Sequence, residues 1–468
     1  MKGKIKIRIL KDDEDLKVDE IMFTDNSYAN YLIKEGIAEK IDEERETEAK
    51  FLVDKSTLET NKRVDKRTAE VFLKVAPENY ERIVEEKYTL KDVHNCYKKN
   101  LYIEDTNRID LVLAIALSSQ LEGIPLWVIL VGASGDMKSV QLNALEGYYT
   151  FYIQKITSKT LVNGFKDKGK YPDLAPKLNN KLVVIRDMAT LIKLPPQEKA
   201  EIWGQLRDLY DGFAGTTSGM GTDVKYSNLK ITLLAGSTPA IDNQVLIHQD
   251  LGTRELIYRV RHNKEKEKVM RKCMENEQLE ESIRRDLNEV TTKFLFHCKI
   301  KRIELSEEIL LYLQKMSMYL SFMRASAEFD FNNHLYSDVS PEEPTRIIKQ
   351  LKRLYICLKS LDKDYSDEKA LEILWEIVNH SSNQNRVNVL KLLLNGEELS
   401  TSQIADILHI GKSSSTRELN VLWNLRLIKV RREQINSNTD RTYDYWSLDE
   451  KNPNIPFIKR PEKYIYDR

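Results

Sequence analysis

Five short apolar runs between Leu126 and Val260 constrain the fold more than any other feature of this sequence. They alternate with helical or loop segments and are rich in β-branched and aromatic residues: LWVILV, YTFYI, KLVVIRD, LKITLLAGS and ELIYRV. Strands that alternate with helices predict a parallel sheet whose strands are buried on both faces. We therefore predict an α/β fold class, with a doubly wound parallel sheet that helices cover.

The first run leads directly into a glycine-rich loop that precedes a predicted helix. The loop fits the pattern G-x-x-x-x-G-K-[ST] with methionine in place of the last glycine; its residues are Gly132, Ala133, Ser134, Gly135, Asp136, Met137, Lys138 and Ser139. Inward-facing backbone N–H groups make such a loop a phosphate site, where Lys138 would neutralise the outer phosphates and Ser139 would bind Mg²⁺. The sequence thus predicts that these residues bind ATP and Mg²⁺. The alternative is an unrelated strand–turn–helix that contains Lys-Ser by chance.

Polar side chains follow later strands of the same region. Asp187 ends KLVVIRD in the form of a Walker B segment and would hold Mg²⁺ through water, although Met188 occupies the place of the usual catalytic glutamate. Thr238 follows LKITLLAGS and would sense the γ-phosphate or position water. Arg254 and Arg259 lie where an arginine of oligomeric ATPases reaches the neighbour's γ-phosphate. The alternatives are a capped core strand, a Ser/Thr-Pro turn and surface or ion-paired arginines.

The last quarter of the chain follows a helix–helix–helix–strand–turn–strand pattern. Ser400 or Thr401 would cap the second helix. Leu419, Leu422 and Trp423 give the third helix a core stripe at three- and four-residue spacing. The pattern predicts a winged-helix domain in which the third helix is the recognition helix.

This segment is basic within a chain whose charges balance. Lys plus Arg and Asp plus Glu each number 73 over the chain, whereas six basic residues and one acid, Glu418, lie between positions 412 and 432. Local positive charge on a recognition helix and wing predicts DNA binding. The predicted DNA contacts here are Lys412, Ser413, Ser415, Arg417, Arg431 and Arg432. A winged helix used only for protein contacts is the alternative.

The rest of the chain gives weaker expectations. KIKIRIL near the N-terminus alternates like a strand, and Tyr28 to Ile41 places apolar residues at helical spacing, with Gly36 as a helix stop. No apolar run is long enough to span a bilayer, and the N-terminus does not resemble a signal peptide. The four cysteines are scattered and lack zinc-site spacing. We therefore expect a cytoplasmic protein that does not bind a membrane.

The ordered motifs GASGDMKS, KLVVIRDMATLI, QLRDLYDGF, LAGSTPAID and LGTRELIYRV resemble AAA+ ATPases of phages and mobile elements, which are helicase-like or primase-associated replication proteins. MRASAEF followed by SPEEPTRIIKQLKRL resembles the helical lid of minichromosome-maintenance-type helicases. The resemblance implies that Arg346 touches the nucleotide as sensor 2. It also implies a homo-oligomeric ring, such as a hexamer, that moves along DNA. In similar helicases a hairpin at FAGTTSGMGTDVKYSN enters the central pore, where Lys225 would contact DNA; a surface loop is the alternative.

Two other functions fit the same motifs. One is an ATP-switched DNA-binding regulator or loader with slow or no hydrolysis, and the other is a scaffold without ATPase activity, which Met137 and Met188 permit. The predicted domains are a small N-terminal unit (1–45), a helical linker (46–104), an AAA+ core (105–262), a helical lid (263–382), a winged helix (383–450) and an extended tail (451–468).

Overall fold

A computed structural model describes the backbone strands 4–9, 21–25 and 38–40, and residues 87–163, 173–218, 222–242, 253–261, 265–330, 334–436 and 439–452. The chain divides into two compact units, Met1–Ile83 and Val84–Arg468. The bounds of the six predicted domains remain predictions. Every helix of the described ranges is too short or too polar to cross a bilayer.

The N-terminal unit contains a three-stranded antiparallel sheet. Its strands are β1 (Lys4–Ile9), β2 (Ile21–Asp25) and β3 (Ala38–Lys40), in the order β2-β1-β3. The strand predicted in KIKIRIL is present as β1. The helix predicted from Tyr28 to its stop at Gly36 lies outside the described residues. Beyond Gly36 the apolar residues keep helical spacing, but Ala38–Lys40 pairs with β1 as a strand. Sheet pairing overrides helical spacing here.

The larger unit contains the predicted parallel sheet. The strands of the sheet are β4 (Trp127–Val131), β5 (Thr150–Ile153), β6 (Lys181–Ile185), β9 (Ile231–Ser237) and β10 (Leu256–Arg259). Between β6 and β9 the chain also forms a separate β7–β8 hairpin (Ala214–Ser218 and Thr222–Tyr226). The five-stranded sheet has the order β10-β4-β9-β6-β5, with every pairing parallel. This confirms the predicted α/β fold class.

Burial on both faces explains why these strands read as continuous apolar runs. Along β4, Val128 and Leu130 join one hydrophobic cluster, while Trp127, Ile129 and Val131 join a second one. Successive side chains of a strand point to opposite faces, so helices must cover both faces of the sheet. The sheet is therefore the layer between two apolar cores.

Helices surround the sheet. In chain order they are α1 (Leu90–Asn100), α2 (Asn107–Ser118), α3 (Lys138–Asn143), α4 (Ala189–Ile192) and α5 (Pro196–Tyr210). A capping box between Thr89 and Asp92 begins α1. Every residue of α2 except Arg108 is buried, because α2 lies between the sheet and the helices that follow.

Five more helices form the region predicted to be a lid: α6 (Lys266–Asn276), α7 (Glu280–His297), α8 (Glu307–Met323), α9 (Thr345–Leu361) and α10 (Asp367–His380). Arg353 of α9 donates to the backbone oxygens of Glu122 (2.7 Å) and Ser118 (3.1 Å). The last carbonyls of a helix have no N–H partner within the helix, and these two bonds supply donors at the end of α2 and just beyond it. They fix α9 against the core.

The C-terminal part is a winged helix, as predicted. It consists of α11 (Gln384–Leu393), β11 (Leu399–Ser400), α12 (Thr401–Leu408), α13 (Lys412–Asn424), β12 (Ile428–Asn436) and β13 (Thr439–Leu448). The strands form a sheet in the order β11-β13-β12. Ser400 caps α12 through a capping box with Gln403, which confirms one of the two caps that the sequence offered.

The core stripe predicted for α13 is only partly correct. Leu419 and Leu422 are fully buried, whereas Trp423 is 45% exposed. Successive helical residues are turned by about 100°. Because the buried side of α13 follows Leu422 and Leu425, Trp423 faces outward.

One buried side chain joins the winged helix to the helices before it. Arg386 of α11 forms an ion pair with Glu418 of α13 (2.8 Å). Its guanidinium also donates to the backbone oxygens of Phe322, Met323 and Ala325 (3.3, 3.2 and 2.9 Å) at the end of α8. Glu418, the one acid of the basic segment, is thus neutralised from within the protein.

Candidate functional site

Three loops meet at the carboxyl edge of the parallel sheet. The N–H of Gly132, after β4, donates to the oxygen of Ser237 at the end of β9 (3.1 Å). The N–H of Met188, after β6, donates to the oxygen of Gly236 (2.9 Å). A Cβ at Gly236 would lie 2.5 Å from the oxygen of Arg186, so only glycine permits this approach. The glycine-rich loop, Thr238 and Asp187 therefore border one another.

The conformation of the loop explains how it accommodates methionine. Gly135 has φ 84° and Met137 has φ 64°, both in the left-handed region. Position 137 is where the motif has glycine, and a side chain in this region costs about 1–2 kcal/mol. Met137 thus adopts the backbone conformation of the missing glycine rather than changing the path of the loop.

Lys138 lies inside the loop and is surrounded by oxygen atoms. Its Nζ is 2.8 Å from the backbone oxygens of Gly132 and Ala133 and 2.8 Å from Oδ1 of Asp136. The residue is only 8% exposed. A buried ammonium group held by loop oxygens is poised to exchange them for the oxygens of an anion.

Asp136 fills the space above Gly132. A Cβ built on Gly132 would overlap Oδ2 of Asp136. This Oδ2 atom is buried without a hydrogen-bond partner among the described residues. The backbone oxygen of Asp136 accepts a bond from Arg108 (3.0 Å), and burial lowers the pKa of that guanidinium. The loop therefore holds its own anion beside two cations.

A cavity of about 580 Å³ opens beside the loop. Its wall combines loop residues from Ala133 to Met137 with the segment before α2, the end of β10 and the start of α6; the non-loop residues include Tyr102, Asp105, Arg108, Tyr258, Arg261 and Met270. None of these residues was predicted as part of the site: Tyr258 lies within the LGTRELIYRV motif but had no role there, and the others come from distant segments. Only their position in the fold brings them to the loop.

The predicted metal ligands lie on neighbouring parts of the carboxyl edge. Ser139 and Asp187 are both exposed, and Oδ1 of Asp187 accepts the N–H of Ala189 (2.8 Å). Met188 is 1% exposed and packs into the core. No cluster of three or more His, Cys, Asp or Glu side chains within the described ranges could hold a metal ion by itself.

Arg254 and Arg259 lie at opposite ends of β10. Arg259 is paired in register with Val131, beside the loop, whereas Arg254 precedes the strand at the amino edge of the sheet. Five residues of strand span about 16 Å. Arg259 binds Asp242 through two bonds (2.7 and 2.9 Å), and Arg254 binds Asp211 (2.8 Å). Within one chain the two arginines therefore cannot act on the same phosphate.

Arg346, predicted as sensor 2, does not line the cavity beside the loop. It lies in the first turn of α9 and forms an ion pair with Glu342 (2.8 Å). One turn later on the same helix, Gln350 donates to the backbone oxygen of Arg254 (2.7 Å) and to the hydroxyl of Tyr210 (2.9 Å). Arg346 is therefore associated with the amino edge of the sheet, together with Arg254.

The predicted DNA contacts differ in their accessibility. Lys412, Ser413 and Arg417 are exposed at the start of α13. Ser415 is fully buried, so the DNA contact predicted for it is wrong; its hydroxyl is buried in the domain interior. Arg431 forms ion pairs with Glu398 (2.9 Å) and Glu433 (3.1 Å), and Arg432 lies 3.5 Å from Asp444.

Lys225 lies on the β7–β8 hairpin, with Nζ 3.0 Å from Asp223. Its side chain is 75% exposed.

Residues 383–430 match the family model described as bacterial regulatory protein, arsR family. The match covers α11 to the start of β12, the helical part of the winged helix. No curated protein matches the chain.

Among solved structures, the chain is similar to the apo form of the NrS-1 C-terminal region, with 12% identity, 78% of each chain covered and a TM-score of 0.33. It is also similar to the structure titled SCCmec type IV Cch, active helicase, with 11% identity, 77% of this chain and 70% of that chain covered, and a TM-score of 0.35. Likenesses at these TM-scores have no bearing on activity.

Proposed function

We propose that this chain is a P-loop ATPase of the AAA+ type that drives movement along DNA, as a helicase or translocase in the replication of a mobile element. The observation that carries the proposal is the meeting of the 132–139 loop, Thr238 and Asp187 at one edge of a parallel sheet. In α/β sheets, ligands bind outside the carboxyl ends of the strands. A loop of this motif at that edge is the place for a triphosphate.

The chemistry of the loop fits ATP. Lys138 is held by three oxygens that an anion can replace, and Gly135 and Met137 turn the backbone through the left-handed region. The adjoining cavity of about 580 Å³ lies within the range of about 300–1,000 Å³ that small-molecule sites occupy. Tyr102 and Arg108 lie on its wall and would contact the base or ribose.

The residues present also fit Mg²⁺. In nucleotide sites this ion is held by one or two protein oxygens together with phosphate oxygens and water, so a full protein cage is not needed. Ser139 would bind the ion directly and Asp187 would bind it through water. When bound, Mg²⁺ neutralises charge that develops on the phosphates. Because Met188 is buried, we assign the positioning of water to Thr238 rather than to the residue after Asp187.

DNA and a second copy of the chain complete the proposal. The arsR-family match supports DNA binding by the winged helix, with Lys412, Ser413 and Arg417 on its accessible side. Lys225, exposed on its hairpin, would contact DNA in the pore of a ring. Arg254, far from the loop of its own chain, would reach the nucleotide of the next subunit, as would Arg346.

The decisive experiment compares the wild type with Lys138→Ala for ATP hydrolysis with and without DNA, and for strand displacement on a forked duplex. We expect DNA-stimulated hydrolysis and displacement in the wild type and neither in Lys138→Ala. Lys363→Ala, at a position 86% exposed and outside the site, is the matched control and should retain both activities. If the wild type hydrolyses no ATP under either condition, the motor is excluded.

A second candidate is an ATP-switched DNA-binding regulator with little hydrolysis. Two observations favour it: the match to a regulatory-protein family over residues 383–430, and the buried Met188 in place of a catalytic glutamate. Footprinting on DNA separates the candidates. A sequence-specific footprint that Lys138→Ala retains, without strand displacement by the wild type, would favour the regulator.

A further inference from the structure

An open pocket of about 310 Å³ lies at the far end of the recognition helix, around the exposed indole of Trp423. We call it the Trp423 pocket; it is lined by Trp423, Arg426, Ile428, Lys429, Asp449, Lys451 and Asn452. The pocket combines a flat aromatic surface with charged groups on its rim. Tryptophan is enriched among the few residues that carry most of the binding energy of a surface.

The charge of the pocket is predominantly positive. Arg426, Lys429 and Lys451 are all exposed, and none of the three makes an ion pair with another described residue. Asp449 is the single acid of the lining. By contrast, Arg431 and Arg432, a few residues further along β12, are paired with carboxylates. Cations without protein partners remain available for phosphate groups.

Arg426 also has an unfavourable backbone conformation. Its φ of 57° lies in the left-handed region, at the end of α13, where glycine is the usual residue. The N–H groups of Arg426 and Leu427 donate back to Trp423 and Leu422 (2.8 and 2.9 Å), which fixes the turn. Strained residues of this kind cluster at functional sites. The backbone of Arg426 is therefore fixed by this turn at a cost in stability, and the residue lines the same pocket as Trp423.

We propose that the Trp423 pocket binds single-stranded DNA. One unstacked base would lie on the indole of Trp423, and its flanking phosphates would contact Arg426, Lys429 and Lys451. This is the combination of an aromatic platform with a basic rim that single-strand binding uses. The inference rests on the DNA-binding part of the proposed function and adds a site that is separate from the duplex-binding face.

Geometry separates the two DNA sites. The predicted duplex contacts Lys412 and Ser413 begin α13, and Trp423 lies ten residues later, which corresponds to about 15 Å along the helix. A duplex offers base edges in its grooves, whereas a ring face becomes available only when a base leaves the stack. An enzyme that separates strands produces this single strand next to the duplex. The winged helix would then hold both sides of a fork.

The test measures binding of a fluorescent oligothymidylate and, separately, of a duplex, by anisotropy with the full chain. Trp423→Ala should weaken single-strand binding about tenfold or more, since stacking of a base on an aromatic ring is lost. Trp423→Phe, which keeps a ring, should restore most of that loss. Duplex affinity should stay unchanged in both. Tyr336→Ala, a similarly exposed aromatic in another region, is the matched control and should bind both DNAs normally.

Two further variants test the basic rim. Arg426→Gly should weaken single-strand binding while it raises the midpoint of thermal unfolding, because glycine relieves the left-handed strain. Lys429→Ala with Lys451→Ala should reduce the slope of log affinity against log salt by about 1.4, or about 0.7 for each phosphate contact.

The outcomes separate this inference from the proposed function. Unchanged single-strand affinity in Trp423→Ala or in a folded Arg426→Gly overturns the Trp423 pocket as a DNA site, even if the duplex still binds. If Trp423→Ala does not fold, Arg426→Gly decides. A wild type that binds neither DNA form overturns the DNA-binding part of the proposed function itself.

Discussion

The carboxylate of Asp136 lies against the backbone of Gly132, in the space that any other side chain at position 132 would need. Its Oδ1 accepts bonds from both the N–H and the Nζ of Lys138 (3.2 and 2.8 Å). The loop thus places a negative group where the proposed phosphates would lie. Nucleotide binding has to displace this carboxylate and separate it from Lys138.

We therefore predict that Asp136→Asn binds ATP more tightly. The amide keeps the size of the side chain but removes the charge that competes with the phosphates. We expect the dissociation constant to fall about tenfold, which corresponds to about 1.4 kcal/mol. Isothermal titration calorimetry measures it. Asp364→Asn, at an exposed position outside the site, should bind like the wild type. Weaker binding by Asp136→Asn would show instead that the carboxylate supports the bound state.

Met137→Gly should stabilise the protein, because glycine adopts φ 64° without the penalty that a Cβ brings. Relief of the left-handed strain should increase the free energy of unfolding by about 1 kcal/mol. Loss of the methionine side chain's packing offsets a small part of this gain. Urea unfolding followed by circular dichroism measures the change. Met137→Ala shortens the side chain but keeps the Cβ, so it should show no such gain. Equal stability of the two variants would exclude backbone strain at this position.

The separation of Arg254 from the loop predicts that subunits can complement each other. Arg254→Ala should abolish hydrolysis without loss of ATP binding, because in the proposed assembly the arginine would serve the neighbouring subunit. Lys138→Ala should also lose hydrolysis, but because its own loop lacks the lysine that neutralises the phosphates. In mixed assemblies an intact loop from one variant meets an intact arginine from the other, so mixing the two inactive proteins should restore part of the ATPase activity. If no mixture regains activity, Arg254 acts within its own chain or not at all.

Acid should destabilise the protein through His380. Its Nδ1 accepts the N–H of Arg259 (3.1 Å), and burial lowers the pKa of His380 to about 4, against 6.5 in the unfolded chain. Between these values the unfolded state binds more protons, so stability is complete above pH 6.5 and is lost as pH falls towards 4. The loss should approach about 3 kcal/mol.

Urea unfolding as a function of pH measures this contribution. His380→Asn should be less stable at neutral pH but should show a flatter dependence between pH 6.5 and 4. The same change at the exposed His334 should leave the wild-type dependence in place. Identical slopes for the wild type and His380→Asn would mean that another group carries the acid sensitivity.

Features that depend on neighbouring residues could be predicted from the sequence. The strands β4, β6 and β9 were predicted correctly because burial on both faces leaves an unbroken apolar run. The cap of α12 was narrowed to Ser400 or Thr401 because a cap depends only on the next three residues. Features that depend on distant partners could not. The strand at Ala38–Lys40 requires β1 as its partner, and Trp423 faces outward because other residues fill the core.

The residues of the candidate site also fall into those that could be predicted from neighbouring residues and those that could not. The loop from Gly132 to Ser139 was visible as a motif, and so was the aspartate after β6. The wall of the cavity was not, because Arg108 and Tyr258 approach the loop only through the packing of α2 and β10. Ser415 was predicted as a contact but is not accessible. A serine at a helix start suggests a DNA contact, but helical geometry turns this side chain into the interior.

Arg386 couples the movement of α8 to that of the winged helix. Its one guanidinium holds the last carbonyls of α8 and the carboxylate of Glu418 on α13 at the same time. Because this side chain is buried, loss of the ion pair would leave a charge without compensation, which typically costs about 3–5 kcal/mol, and loss of the carbonyl bonds would leave buried N–H groups without acceptors. A tilt of α8 would therefore carry the recognition helix with it instead of bending the chain between them. Motion that starts in α8 would reach the winged helix as a displacement of the whole domain.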